Sequence, residues 1–274
     1  MDSDAKPLYD KAQSACSRQR EEYLLREGQA KFQLLLEHLG ACRRLVDIGC
    51  GWGQFLAMAG ERVEEVWGVD ESPDRMKDAA RACPRARLVN CRVQKLDLPD
   101  GYFDAAVACQ ILHEVELFSG RPELHSALNE TCRVLARSGR FLLLDHLRAA
   151  DGDVIVSLPP EAMPRLDEFE RKFKYYAAAH SPAVAGAIRI SRPSLQDFVT
   201  KVHWLNSAME SLEMNETHNV FERSETVEML SAAGFDLLHW VEFADIRRDI
   251  QALGGKLLRG RPWQRKFLAV AVKR

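Results

Sequence analysis

Helical periodicity opens the chain. From about residue 14 to residue 39, in EEYLLREGQAKFQLLLEHL and the letters before it, apolar residues recur at spacings of three and four, one face of a helix. RRLVDIG then reads as a buried strand and GQFLAMAG as the start of a helix. EEVWGVD is a second strand ending on Asp70, and SPDRMKDAARACP a helix with Ser72 as N-cap and Pro73 at its first position. ARLVN is a third strand. The turn at Asp100-Gly101 leads into a fourth strand within YFDAAVACQILHEV. RPELHSALNETCRVLARSG reads as a helix closed by Gly139, and RFLLLDH as a fifth strand.

Strand and helix thus alternate from 44 to 146, which predicts an α/β fold with a mostly parallel sheet covered on both faces. Right-handed crossovers make it doubly wound, with ligands at the carboxyl ends of the strands. After Asp145 the pattern breaks. Residues 151–222 are irregular, with Pro159, Pro160, Pro164, Pro182 and Pro193 between short helix-like pieces. Alternation resumes with SETVEMLSAAGF (helix), DLLHWVEF (strand) and KFLAVAVKR (strand). The expected organisation is an N-terminal helical segment over 1–40, a cofactor-binding core over 41–150, a helical insertion or lid forming the acceptor site over 151–222, and the end of the core sheet over 223–274.

Composition narrows the classes. With 46% hydrophobic and 28% charged residues and a formal net charge of -2, the 274-residue chain is a globular one without the electrostatic footprint of a nucleic-acid binder. Its 7 cysteines form no C-x-x-C pair and MDSDAKPLYDKAQ is no leader, so a reduced, cytoplasmic setting follows most simply. No apolar run approaches the ~20 residues of a membrane span.

The chemistry gathers at LVDIGCGWGQF, residues 45–55, where Gly49, Gly51 and Gly53 follow a strand directly. A dinucleotide fold wants G-x-G-x-x-G, with a helix N-terminus facing a pyrophosphate. Here the third glycine comes one residue early, and Asp47 would set negative charge beside a phosphate. That carboxylate suits a ligand with an ammonium group. Asp70, at the end of the second strand, can accept hydrogen bonds from both hydroxyls of a ribose. An ammonium, a ribose and no phosphate describe S-adenosylmethionine.

The stretch 45–145 resembles the core of the class I S-adenosylmethionine-dependent methyltransferases. VDIGCGWGQ resembles the family's glycine-rich first motif, VWGVDES its acidic second-strand motif and LPDGYFDAAVACQILHEV its fourth-strand motif. LNETCRVLARSGRFLLLDH resembles the helix and fifth strand that usually read R-V-L-x-P-G-G. The resemblance implies a Rossmann-like, seven-stranded sheet whose last strand is antiparallel, and a methyltransferase with S-adenosyl-L-methionine as cofactor. Carried over by position, Asp47, Gly49, Cys50, Gly51, Trp52 and Gly53 border the cofactor's methionine part, with Gln54 lining the loop. Asp70 holds the ribose with Glu71 beside it, and Gln110 contributes near the methionine end. Where the family often has an acidic and then a small residue, this chain has Arg92 and Val93, so backbone or Gln94 is expected to meet the adenine amine.

His113, after the fourth strand, is the first candidate for a catalytic base and His146, after the fifth, the second. Cys50 and Cys109 read as small buried thiols, and His180, His203 and His218 as structural. No group has metal-ligand spacing, so no metal is expected. Phe169, Phe173 and Tyr176 stand at helical spacing in FERKFKYYAAAH; packing is the default, although Tyr175 and Tyr176 could line an acceptor pocket. GKLLRGRPWQRK is locally basic and reads as solvated surface before RNA footprint. The expected reaction is methyl transfer to an O or N (or S) atom of a small molecule by a monomer or homodimer with no membrane partner. The alternatives are a tRNA or protein methyltransferase and a non-catalytic S-adenosylmethionine-binding protein.

Overall fold

In the computed structural model, which describes residues 29–274, the part of the first helix before Gln29 lies outside the described residues. The described elements are α1 (Gln29–Leu39), β1 (Arg44–Ile48), α2 (Gln54–Gly60), β2 (Glu65–Asp70), α3 (Pro73–Ala82), β3 (Arg87–Asn90), β4 (Phe103–Cys109), α4 (Leu112–Ser119), α5 (Arg121–Val134) and β5 (Leu135–His146). They continue with β6 (Asp153–Ser157), α6 (Met163–Lys172), β7 (His180–Pro182), β8 (Ile188–Ser191), α7 (Arg192–Lys201) and α8 (Glu210–Glu213). The last are α9 (Arg223–Ala232), β9 (Phe235–Asp245), α10 (Ile246–Ala252), β10 (Lys256–Arg259) and β11 (Gln264–Lys273). None of these helices is long and apolar enough to cross a membrane.

The chain forms two compact units. The first comprises residues 29–145, 223–241 and 267–274 of the described chain, and the second 146–222 and 242–266. The first is built on a mostly parallel sheet of 7 strands in the order β3-β2-β1-β4-β5-β11-β9, with helices on both sides. β1 pairs in parallel with β2 and with β4, so Asp47 stands between Gly68 and Val107. Apart from Asp47, the centre is apolar because both faces are covered: Leu45, Val46 and Ile48 on β1 and Ala106, Val107 and Ala108 on β4 are inaccessible to solvent. The strand order reverses at β1 and β4, which puts the crevice for a ligand outside their carboxyl ends.

Two boundaries differ from the sequence reading. The helix after Gly120 stops at Val134, and LARSG opens β5, because Leu135 is already extended (φ -73, ψ 140). Gly139 therefore caps nothing; a Cβ there would lie 2.8 Å from the Ala136 carbonyl oxygen. Secondly, β4 ends at Cys109, and ILHEV turns into α4, which sets His113 in a first helical turn.

The second unit corrects the expectation of a purely helical insertion. It has its own sheet of 4 strands, β10-β6-β8-β7, antiparallel throughout, with Val154 opposite Ile190 and Val156 opposite Ile188. Those four side chains alternate inward. Against them pack Leu166 and Phe169 of α6, Leu195 and Phe198 of α7, and Ile246 and Ile250 of α10, all inaccessible to solvent. The span 223–274 is likewise not all core sheet, since 242–266 belongs to this second unit.

Candidate functional site

The glycine loop between β1 and α2 is shaped by neighbours that differ at each position. Gly53 sits at φ 78, and a Cβ on it would come within 2.7 Å of the Ala79 Cα, so its bareness lets α3 press against the loop. Gly51, at φ 51, is the reverse: a Cβ there meets nothing within 4 Å, leaving open space over the backbone. A Cβ at Gly49 would strike the Ile111 side chain. Cys50 is buried, and burial followed by the charges of Asp47 and Asp70 drives its thiol far above the usual range, which leaves it inert. Trp52 and Gln54 are half-buried on the same loop.

Both acids predicted for the site are buried at strand ends. Asp70 is 2% exposed; Oδ1 accepts the Ser72 N–H at 2.9 Å and Oδ2 the Gly51 N–H at 3.0 Å. Arg75, buried on α3, brings Nη1 to 3.7 Å from Oδ2. Asp70 thus ties the glycine loop to the α3 N-terminus while keeping acceptor capacity on both oxygens. Asp47 is also 2% exposed, and among the described residues no donor hydrogen-bonds to its carboxylate. Burial first, and Asp70's charge second, push its pKa up to about 8, against the opposing pull of Lys31. A buried carboxyl without a hydrogen-bond donor is costly and suits a cationic ligand.

Gln110 bridges β4 and α4 at φ 56, a left-handed conformation uncommon for a residue with a side chain. Its N–H donates to the Leu144 carbonyl at 2.7 Å, and its Oε1 accepts from Lys31 Nζ at 2.5 Å. Lys31, on α1, is a member that the sequence reading missed. Glu71 and Arg92 pair at 3.7 Å on the exposed side of β2 and β3, while Val93 is buried and Gln94 half-buried.

His113 is buried on α4 with a partner unseen in the sequence. Its Nδ1 lies 2.7 Å from Asp145 Oδ1, and its backbone N–H donates to Asp145 Oδ2 at 3.2 Å. The carboxylate caps a helix whose own N-cap, Ile111, has no acceptor side chain, and it fixes the imidazole. Because a carboxylate only accepts, Nδ1 carries the proton and Nε2 is the basic nitrogen of the neutral ring. The geometry follows from topology: β4 and β5 are parallel neighbours with Cys109 opposite Leu144, so Asp145 arrives beside the first turn of α4.

His146, the other candidate base, is buried in the second unit, stacked on His218 with centroids 3.9 Å apart and planes at 6°. His218 belongs to a buried network. Lys201 Nζ, inaccessible to solvent, lies 3.0 Å from Glu213, 3.3 Å from Glu216 and 3.5 Å from His218 Nε2. Glu213, Glu216 and His218 offer ligand atoms within 4.8 Å of one another, a potential metal set that sequence spacing did not reveal. The lysine ammonium stands where an ion would. Burial opposes its charge, but Glu213, Glu216 and Asp197 overcome that and hold its pKa above the usual lysine range. Tyr176 is half-buried and donates to Asp197 at 2.6 Å, whereas Tyr175 is exposed. Of the basic C-terminal stretch, Lys256, Arg259 and Arg261 are exposed, but Lys266 is buried and Arg265 is buried against Asp249, correcting the expectation of a solvated run.

A mostly parallel seven-stranded sheet with a glycine loop after its first strand and buried acids ending the first two defines an α/β cofactor-binding fold. Residues 46–143 match the methyltransferase domain family. The uncharacterized methyltransferase YcgJ of Bacillus subtilis (strain 168) is 30% identical over 158 residues, covering 55% of this chain and 54% of YcgJ. Among solved structures, an S-adenosylmethionine-dependent methyltransferase from Mesorhizobium loti superposes with a TM-score of 0.56 at 20% identity, covering 89% of this chain and 96% of the other. Geranyl diphosphate C-methyltransferase from Streptomyces coelicolor A3(2), solved with Mg2+, geranyl diphosphate and S-adenosyl-L-homocysteine, gives 0.54 at 16% identity, covering 92% and 81%. The chain spans about half the length of the curated relatives it matches. Its fold is that of the Rossmann-like S-adenosylmethionine-dependent methyltransferases, and its stretch 46–143 is similar to the methyltransferase domain family.

Proposed function

We propose that this chain transfers the methyl group of S-adenosyl-L-methionine to an oxygen or nitrogen (or sulfur) atom of a small molecule. The observation that carries the cofactor site is the pairing of two buried strand-end carboxylates with open space over Gly51. A phosphate would meet Asp47; an ammonium and two ribose hydroxyls find acceptors in Asp47 and Asp70. When bound, S-adenosylmethionine supplies an electrophilic methyl on a sulfonium, and the protein's part is largely proximity and orientation. Asp70 accepts from the ribose while bracing the loop through the Gly51 and Ser72 amides. Gln110, Trp52 and the glycine loop line the methionine end; Glu71, Arg92, Val93 and Gln94 line the adenine end.

For an acceptor that loses a proton, His113 is the base. Asp145 holds the Nδ1 proton, so the acceptor's proton goes to Nε2, and the resulting imidazolium is stabilised by the buried carboxylate. His146, stacked on His218, is the weaker candidate, because charging one ring of a stacked buried pair is opposed by lost hydration. The slightly acidic chain and the burial of Arg265 and Lys266 favour a small molecule over RNA. We place the acceptor site in residues 151–222 and the protein, as monomer or homodimer, in the cytoplasm. Isothermal titration with S-adenosylmethionine tests the first step: no binding, with NAD binding instead, overturns this reading. Mass spectrometry of a cell extract incubated with the protein and methyl-labelled cofactor then identifies the acceptor; label in RNA or protein alone overturns the small-molecule assignment.

A further inference from the structure

An arginine that loses its water needs an acceptor in exchange. In the second unit Arg265 has one: it is buried, and its Nη2 lies 2.7 Å from Asp249 Oδ1. Arg192, the first residue of α7, is placed differently. It is half-buried, its Nε is buried without a hydrogen-bond partner among the described residues, and no carboxylate there pairs with its guanidinium. Its contact is with an aromatic face, because Cζ stands 5.6 Å from the centroid of the Trp263 ring. The position adds to the cost, since a cation at the start of a helix opposes the helix dipole.

The surroundings of this side chain are fixed. Trp263 donates its indole N–H to Gln196 Oε1 at 2.8 Å. Gln196, one turn further along α7 and inaccessible to solvent, donates in turn to the carbonyls of Leu147 and His218, each at 2.8 Å. Amides at the helix start are already used: the Arg192 N–H donates to the Gly152 carbonyl at 2.9 Å, and the Ser194 N–H to Ser191 Oγ at 3.2 Å. An anion arriving here is therefore received by the guanidinium, whose terminal nitrogens hydrogen-bond to none of the described residues. A planar fork laid over an indole suits the paired oxygens of a carboxylate or phosphate.

We propose that Arg192, laid over Trp263, is the anchor for an anionic group of the methyl acceptor, a carboxylate or phosphate remote from the atom that is methylated. The inference rests on the reading of residues 151–222 as the acceptor site, and it narrows the acceptor to a small molecule that carries an oxyanion. Such a group compensates a partly desolvated cation that the chain leaves unmatched, and it meets the positive end of a helix dipole. A neutral or cationic acceptor gains neither.

The test uses the full chain, methyl-labelled S-adenosylmethionine and a cell extract split on an anion exchanger at neutral pH. The retained fraction should hold the small-molecule acceptor. Inorganic phosphate and acetate should compete with it at constant ionic strength, whereas acetamide, the neutral counterpart of acetate, should not. Arg192→Gln should lower transfer at limiting retained fraction by roughly thirtyfold, as loss of a charge-assisted contact requires, and keep the saturated rate within about threefold. Its calorimetric affinity for S-adenosylhomocysteine should stay within about twofold of the parent's, as only a folded variant allows. Arg192→Lys, which keeps the charge and loses the fork, should fall between the two and gives the same comparison should the glutamine variant fail to fold. An acceptor that passes through unretained, equal competition by acetate and acetamide, or transfer that Arg192→Gln leaves unchanged overturns the proposal and leaves the acceptor reading standing. A parent that labels no small molecule in either fraction removes that reading and the proposal together.

Discussion

Asp47 couples binding, stability and pH in one side chain. Its folded pKa, pushed up to about 8, lies above that of an unfolded carboxyl, so the native state holds the proton more tightly. The stabilisation is whole below the ordinary carboxylate range and drains away as pH rises to about 8, on the order of a few kcal/mol. Asp47→Asn should remove this slope: its melting temperature should overtake the parent's near about pH 8, while S-adenosylmethionine affinity drops. Thermal melts of both proteins across that range, with titrations beside them, check the pair of outcomes. The cationic cofactor should also displace the Asp47 proton near about pH 7, read as a buffer-dependent heat in calorimetry. Asp145 offers a second test. Asp145→Ala strips an acceptor from two donors and should cost roughly 2–5 kcal/mol in chemical denaturation, together with methyl transfer to any acceptor that must be deprotonated. Asp145→Asn should keep more of the stability but misplace the imidazole proton, shifting the pH profile of turnover.

Among the elements, the glycine loop separates a packing role from a binding role. Gly53→Ala drives a methyl into the α3 backbone at a left-handed φ and should lower stability by about 1–3 kcal/mol. Gly51→Ala pays for the same handedness with no collision; it should fold, melt about 1 kcal/mol less stable, and lose cofactor affinity because its methyl fills the open space. Urea melts and cofactor titrations of the two variants distinguish them. The first five strands of the sheet were legible because each is an apolar run bounded by turn letters. The end of α5 was not, since nothing in CRVLARSGR marks the switch at Leu135 except its pairing with Phe103. The strands of the second unit were hidden for another reason: DVIVS, HSP and IRIS are short, flanked by prolines, and gain their apolar face only when paired. At the site, Asp47, Asp70 and the glycines announced themselves by local spacing. Asp145 and Lys31 did not, because their partners lie 32 and 79 residues away and a charged letter on a helix or strand end reads as surface.

For the whole molecule, the buried network of the second unit sets a different dependence. Lys201 is that unit's internal counter-ion, so Lys201→Ala should leave Glu213 and Glu216 facing each other and cost about 3–5 kcal/mol. The truncated variant should bind zinc through Glu213, Glu216 and His218, so added Zn2+ should raise its melting temperature and leave the parent's unchanged. The order of strands in the first unit has a consequence for biosynthesis. β9 stands at the sheet edge and its neighbour there is β11, which the ribosome makes later. A nascent chain that has already emerged through β5 and β9 therefore presents two unsatisfied strand edges until 264–273 slot between them. Synthesis must therefore reach residues 264–273 before β9 can join the sheet.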